Sequence, residues 1–138
     1  MLRGKLIHPE ILAAVGGAGH GSKILIADGN YPLGTRVGEN ATLVYLNLSP
    51  GKVLVTEVLE AILEGTPVEA AAVMTPADGG AAPIFAEFRE LLGPDLDLEG
   101  LERFAFYEAA SSPEVCLQVA TGDQRLYANI LLTIGVVV

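Results

Sequence analysis

A histidine between two glycines is the first feature of this sequence with chemical potential. His20 stands in the tripeptide Gly19-His20-Gly21. An imidazole, with an ordinary pKa of about 6.5, can both donate and accept protons at neutral pH. Flanking glycines let backbone and ligand approach closely. His20 is therefore a candidate acid/base, and the ordinary alternative is an exposed loop histidine.

Further polar groups lie next to apolar runs. Asp28 follows the run KILIA (23–27), and ligands of α/β proteins usually bind at the carboxyl ends of strands. Tyr127 and Asn129, in the stretch RLYAN (125–129), bring a phenol and an amide to the start of the apolar C-terminal segment. These groups suit hydrogen bonds to a polyol, although turn capping and an ordinary loop explain them equally well.

Cofactor motifs are missing from the chain. It has no G-x-x-x-x-G-K-[ST], no G-x-G-x-x-G and no CxxC or HxxxH pair. The run GGAG (16–19) lacks the preceding strand that a dinucleotide site requires. His8 and His20 are the two histidines, so nothing in the sequence points to a metal site. We expect no metal and no cofactor.

Charge and cysteine usage limit the partners and the compartment. The net charge is −9, and the eight Lys and Arg residues are scattered, so nucleic acid is not an expected partner. Cys116, the single cysteine, sits in an apolar run where burial suits it, which fits a reducing cytoplasm. Residues 1–10 do not resemble a signal peptide, and no apolar run is long enough to predict a membrane span.

Length and hydrophobicity predict one domain over residues 1–138 that associates with further copies. Chains of this size commonly form one domain. Hydrophobic residues make up 51% of the sequence, which is more than so short a chain readily buries alone. We therefore expect a homo-oligomer.

Apolar periodicity and turn residues predict alternating helices and strands. Helices are predicted at 8–18, 56–64 and 83–92, and strands at 23–27, 43–48 (an edge strand), 67–74, 115–120 and 129–138. The segment 101–110 fits both patterns, and we favour a helix. The last two strands are predicted to be adjacent and central. This order predicts a three-layer α/β/α domain with a mainly parallel or mixed central sheet.

Three motifs together resemble the ribose pyranase and fucose mutarotase family over essentially the full chain. The first is an early helix, Gly19-His20-Gly21 and an apolar strand ending in Asp28, with Pro32 in the following loop. The second is RFAFYE (103–108), which is similar to the fucose branch. The third is YANILL (127–132) followed by Gly135-Val136. The resemblance implies an RbsD-like fold.

The resemblance also implies roles for individual residues. It makes His20 the catalytic histidine, and it assigns sugar contacts to Asp28, Arg103 and the stretch Tyr127, Ala128 and Asn129. It implies a cofactor-independent isomerase in which His20 protonates the ring oxygen of a cyclic aldose as the anomeric hydroxyl loses a proton. It further implies decamers of two pentameric rings, with sites completed by neighbouring subunits.

Two departures from the fucose branch bear on the sugar. Asn30 stands where that branch commonly has histidine, and Tyr-Ala-Asn (127–129) is the ribose type rather than Tyr-Gly-Asn. The segment 40–48 is also unlike the family and is expected to shape the pocket mouth. Two other functions remain open: a non-catalytic carbohydrate-binding or regulatory protein of the same fold, and a metal-dependent hydrolase.

Overall fold

A six-stranded mixed sheet forms the centre of the protein in a computed structural model that describes residues 1–138. The strands are β1 (Lys23–Ala27), β2 (Thr42–Tyr45), β3 (Val68–Met74), β4 (Leu98–Leu101), β5 (Val115–Ala120) and β6 (Ile130–Ile134). Their order across the sheet is β2-β5-β1-β6-β3-β4. β6 runs antiparallel to both of its neighbours, whereas the other pairings are parallel.

The prediction that the last two strands are adjacent is wrong, because β1 lies between β5 and β6. Ile24, Leu25, Ile26 and Ala27 are all fully buried, and a strand buried on both faces needs a partner on each side. Further differences are local. The edge strand β2 is shorter than predicted, and β6 ends at Ile134 rather than at residue 138. The sequence does not predict β4, because LEGL carries two residues that disfavour strands.

Helices cover both faces of the sheet, which confirms the predicted α/β/α layers. The helices are α1 (Pro9–Gly16), α2 (Val55–Gly65), α3 (Ile84–Leu92) and α4 (Arg103–Ala110). The ambiguous segment is thus a helix, and it begins after Glu102, whose carboxylate accepts hydrogen bonds from the Phe104 and Ala105 N–H groups. Leu101 instead ends β4.

Side chains of β1 alternate between two apolar clusters. Ile24 and Ile26 pack with residues of α1, α2 and α3, while Leu25 and Ala27 pack with residues of α4. This is the period-two pattern of a strand covered on both faces. None of the four helices has the length and hydrophobicity that a membrane span requires.

The strand directions define two opposite edges of the sheet. The Asp28 edge holds the carboxyl ends of β1, β2, β3, β4 and β5, and the start of β6, because β6 is reversed. The His20 edge holds the starts of those five strands and the end of β6. Side chains from distant parts of the sequence meet at each edge.

Candidate functional site

A buried carboxylate–amide pair forms the centre of the Asp28 edge. The Asp28 backbone N–H donates to Asn129 Oδ1 at 2.8 Å, and Asn129 Nδ2 donates to Asp28 Oδ2 at 3.1 Å. Asp28 Oδ1 accepts from the Asn30 N–H at 2.9 Å. Burial raises the pKa of Asp28, although these hydrogen bonds oppose the rise. The pair joins the end of β1 to the start of β6.

Tyr127 and Ala128 lie next to this pair, just before β6. Ala128 is completely buried, so its side chain serves packing. Tyr127 has a φ of +60°, in the left-handed region that residues other than glycine seldom adopt. Its hydroxyl oxygen accepts a hydrogen bond from the Ala77 N–H at 3.2 Å, which leaves its own O–H free to donate to a ligand.

Arg103 is the first residue of α4 and is exposed. Its Nε donates to the Tyr107 hydroxyl at 3.2 Å. Its guanidinium lies over the rings of Phe104 and Tyr107, at 5.4 and 5.5 Å from their centroids. These contacts hold the stem of Arg103 while part of its planar donor group remains available.

Arg103 and Tyr127 line the same cavity of 510 Å³ at the Asp28 edge. Thr75, Ala77 and Glu102 contribute to its wall, and none of the three was singled out from the sequence. Each follows the end of a parallel strand, so the signal lies in the topology rather than in a motif. Asp28 and Asn129 do not line this cavity. Asn129 follows the lining residue Tyr127 by two positions, and Asp28 lies at the end of β1, the neighbour of β6.

A second cavity, of 480 Å³, opens beside Asp28. Asn30 lines it together with Asn47, Leu48 and Ser49. Asn47 and Leu48 place the end of the unusual 40–48 segment at this second cavity rather than at the one lined by Arg103 and Tyr127. Asn30 lies at the boundary between this cavity and the Asp28–Asn129 pair.

Arg125 lines neither cavity and instead forms ion pairs within the protein. Its guanidinium contacts Asp123 at 2.7 Å and Glu87 at 2.8 Å. Burial alone would raise the pKa of Asp123, but hydrogen bonds from Arg125 and from the Val55 N–H outweigh it and lower that pKa. Asp123 thus fastens the start of α2 to the sheet, a role that the sequence gave no reason to expect.

His20 lies at the opposite edge from all of these groups. It precedes β1, whereas Asp28 follows it, and five residues of strand at about 3.3 Å each separate them by at least ~16 Å. The His20 side chain is 57% exposed, and its Nε2 lies 3.0 Å from both carboxylate oxygens of Glu69. One protomer therefore places Asp28, Arg103, Tyr127 and Asn129 at the same edge of the sheet and His20 at the opposite edge.

The arrangement at the Asp28 edge suits a neutral ligand with several hydroxyl groups. It offers carboxylate and amide acceptors together with guanidinium, amide and phenol donors. Nowhere in the chain do three or more His, Cys, Asp or Glu side chains come close enough to hold a metal ion. The chemistry that these residues themselves offer is hydrogen bonding and proton transfer.

Comparison with known proteins gives one consistent family. The model of the RbsD / FucU transport protein family matches residues 1–137. Fucose mutarotase of Danio rerio is 34% identical over 96% of this chain and 90% of its own length. D-ribose pyranase of Paracidovorax citrulli is 31% identical over 99% of this chain and 98% of its own length. A fucose mutarotase of Streptococcus pneumoniae, solved in complex with L-fucose, superposes with a TM-score of 0.77 at 30% identity. The match covers 96% of this chain and 95% of that one.

Proposed function

Because this chain belongs to the RbsD/FucU family, we propose that it is a monosaccharide mutarotase that interconverts ring forms of a free aldose such as L-fucose or D-ribose. The observation that carries the proposal is the placement of Asp28, Arg103, Tyr127 and Asn129 at one edge of the sheet, where Arg103 and Tyr127 line a cavity and Asn129 bonds to Asp28. The cavity volume, 510 Å³, falls within the range of ligand pockets, roughly 300–1,000 Å³.

The groups at the Asp28 edge bind and orient the sugar. Each oxygen of Asp28 accepts one hydrogen bond within the protein, so further acceptor sites remain for sugar hydroxyls. Arg103 and the Tyr127 hydroxyl donate from the cavity wall. Asn129 fixes Asp28, and Ala128 keeps the backbone between Tyr127 and Asn129 closely packed.

The proton-transfer residue comes from a neighbouring copy of the chain. His20 is too far from the sugar-binding groups of its own protomer, but its exposure lets it reach the Asp28 edge of another. Exposed apolar residues occur near both edges: Val136 and Val137 follow β6 at the His20 edge, and Phe104 and Leu126 lie at the Asp28 edge. Contact between unlike edges is heterologous and generates a ring when the rotation closes, which suits a pentamer or a decamer of two rings.

Ring opening then requires two proton movements. His20 gives a proton to the ring oxygen while the bond between that oxygen and the anomeric carbon breaks. The anomeric hydroxyl loses its proton through the Tyr127 hydroxyl to water, and its oxygen becomes the aldehyde carbonyl. Reclosure in the reverse sense yields the other anomer or ring size. Because mutarotation already proceeds in water, acid/base catalysis of about 10²- to 10⁴-fold suffices without a metal or redox cofactor.

Exchange NMR tests the proposal directly. Fucose, ribose, rhamnose and galactose are each examined for anomer exchange and for pyranose–furanose exchange, with and without the protein. We expect faster exchange for fucose or ribose, unchanged by dialysis against a chelator and lost in His20→Ala. Exchange no faster than in buffer would refute the proposal, and sugar binding without exchange would establish the carbohydrate-binding alternative.

The proposed compartment of the enzyme is the cytoplasm. Its single cysteine, Cys116, is half-buried and unpaired, which suits a reducing environment.

A further inference from the structure

Glu69 faces His20 across the gap between β3 and the loop before β1. Both of its carboxylate oxygens lie 3.0 Å from His20 Nε2. The backbone of the loop is fixed to the end of β6, since the Gly21 N–H donates to the Ile134 carbonyl at 2.9 Å and the Ile134 N–H donates to the Ser22 carbonyl at 2.8 Å. No other side chain in the protomer forms a hydrogen bond with the His20 imidazole.

A β-bulge directs Glu69 toward this contact. In the antiparallel pairing of β3 with β6, Val68 pairs with Ile134 and Ala70 pairs with Thr133, so Glu69 is the extra residue. A bulge leaves one residue unpaired and redirects its side chain, which is why bulges recur beside active sites. Gly135 lies against it, and a Cβ there would meet Glu69 Cβ at 3.3 Å. The local backbone is thus shaped around the position of this carboxylate.

We propose that Glu69 is the positioning residue of His20, holding a proton on Nε2 so that Nδ1 is the nitrogen that exchanges a proton with the sugar. This inference rests on the proposed function. An ionised carboxylate only accepts hydrogen bonds, so a neutral imidazole bonded to it must carry its proton on Nε2. Nδ1 is then the free basic nitrogen, and it has no partner within the protomer.

The proton balance during ring opening follows from this assignment. The doubly protonated imidazole transfers its Nδ1 proton to the ring oxygen, which keeps the electron pair of the broken bond to the anomeric carbon. His20 becomes neutral and retains the Nε2 proton bonded to Glu69. On reclosure the hydroxyl that attacks the aldehyde carbon returns its proton to Nδ1, which restores the doubly protonated imidazole. Glu69 fixes the ring orientation throughout and never contacts the sugar.

Glu69→Gln tests the assignment, with Glu114→Gln as the matched control. Glu114 is also exposed at the His20 edge, but it pairs with Lys23. Glu69→Gln should lower kcat about ten- to a hundredfold and leave KM little changed. The reason is that it removes a hydrogen bond to a charged group, which stabilises the orientation of His20. Glu114→Gln should match the parent. Because the His20–Glu69 pair is exposed, thermal stability should change little.

The imidazole tautomer gives a readout that is independent of activity. In protein with ¹⁵N-labelled histidine at alkaline pH, His20 should carry its proton on Nε2, and Glu69→Gln should mix the two tautomers because an amide both donates and accepts. A parent His20 protonated on Nδ1, or a Glu69→Gln variant with unchanged kcat and tautomer, would overturn the inference while leaving the mutarotase proposal intact. Absence of exchange in the parent protein would instead refute that proposal, and the tautomer would still decide the role of Glu69.

Discussion

Mixing two inactive variants tests whether each site is built from two protomers. His20 and Arg103 lie at opposite edges of the sheet, so a shared site takes His20 from one protomer and Arg103 from its neighbour. His20→Ala and Arg103→Ala should each lose at least about a hundredfold in exchange rate. In a randomly assembled equimolar mixture, about one quarter of the sites contain both native residues. The mixture should therefore exchange sugar at least about 25 times faster than either variant alone.

The assay is NMR exchange on protein that has been co-expressed or unfolded and refolded together. Asp28→Ala mixed with Arg103→Ala is the control, because both residues lie at the same edge and every mixed site lacks one of them. This pair should show no recovery. A His20→Ala and Arg103→Ala mixture no more active than its parents would refute the shared site, and a monomeric sedimentation profile of the parent protein would do the same.

Three stability predictions follow from individual contacts. Asn129→Asp places a second carboxylate beside Asp28, whose pKa is already raised, so it should lower the free energy of unfolding by about 2–3 kcal/mol at pH 7. Stability should recover on acidification, because a raised pKa means that the folded state binds a proton more readily than the unfolded state. Urea melts at pH 7 and 5 measure the difference. Asp123→Ala should cost about 2–3 kcal/mol at pH 7. Because the pKa of Asp123 is lowered in the folded protein, the difference from the parent should begin to shrink only below the ordinary value of 3.8 and should be lost as the pH falls through the lowered pKa. A pH-independent difference would contradict that reasoning. Gly122→Ala directs a Cβ into backbone carbonyls and should cost about 3 kcal/mol in thermal unfolding, whereas Gly65→Ala, with open space around it, should not.

Much of the fold follows from local patterns in the sequence. The pattern of KILIA predicts a buried strand, and that of PIFAEFRELL predicts an amphipathic helix; both predictions are confirmed. The terminal apolar segment also forms a strand, but only over Ile130–Ile134. The segment 101–110 fits both patterns, because the aromatics of RFAFYE favour a strand; in the structure a helix begins after Glu102, whose carboxylate caps it. Strand order was not predictable from such patterns, since every apolar strand pairs equally well until the whole sheet is assembled.

The sequence by itself determined the residue types of the candidate site: an imidazole, a carboxylate, a guanidinium, a phenol and an amide, at spacings that resemble one family. Tertiary structure decided which of them meet. The reversed direction of β6 brings Asn129 against Asp28, and the length of β1 separates both from His20. The bulge in β3 places Glu69 at His20. The two residues are 49 positions apart in the sequence, so strand register, rather than sequence proximity, brings them into contact.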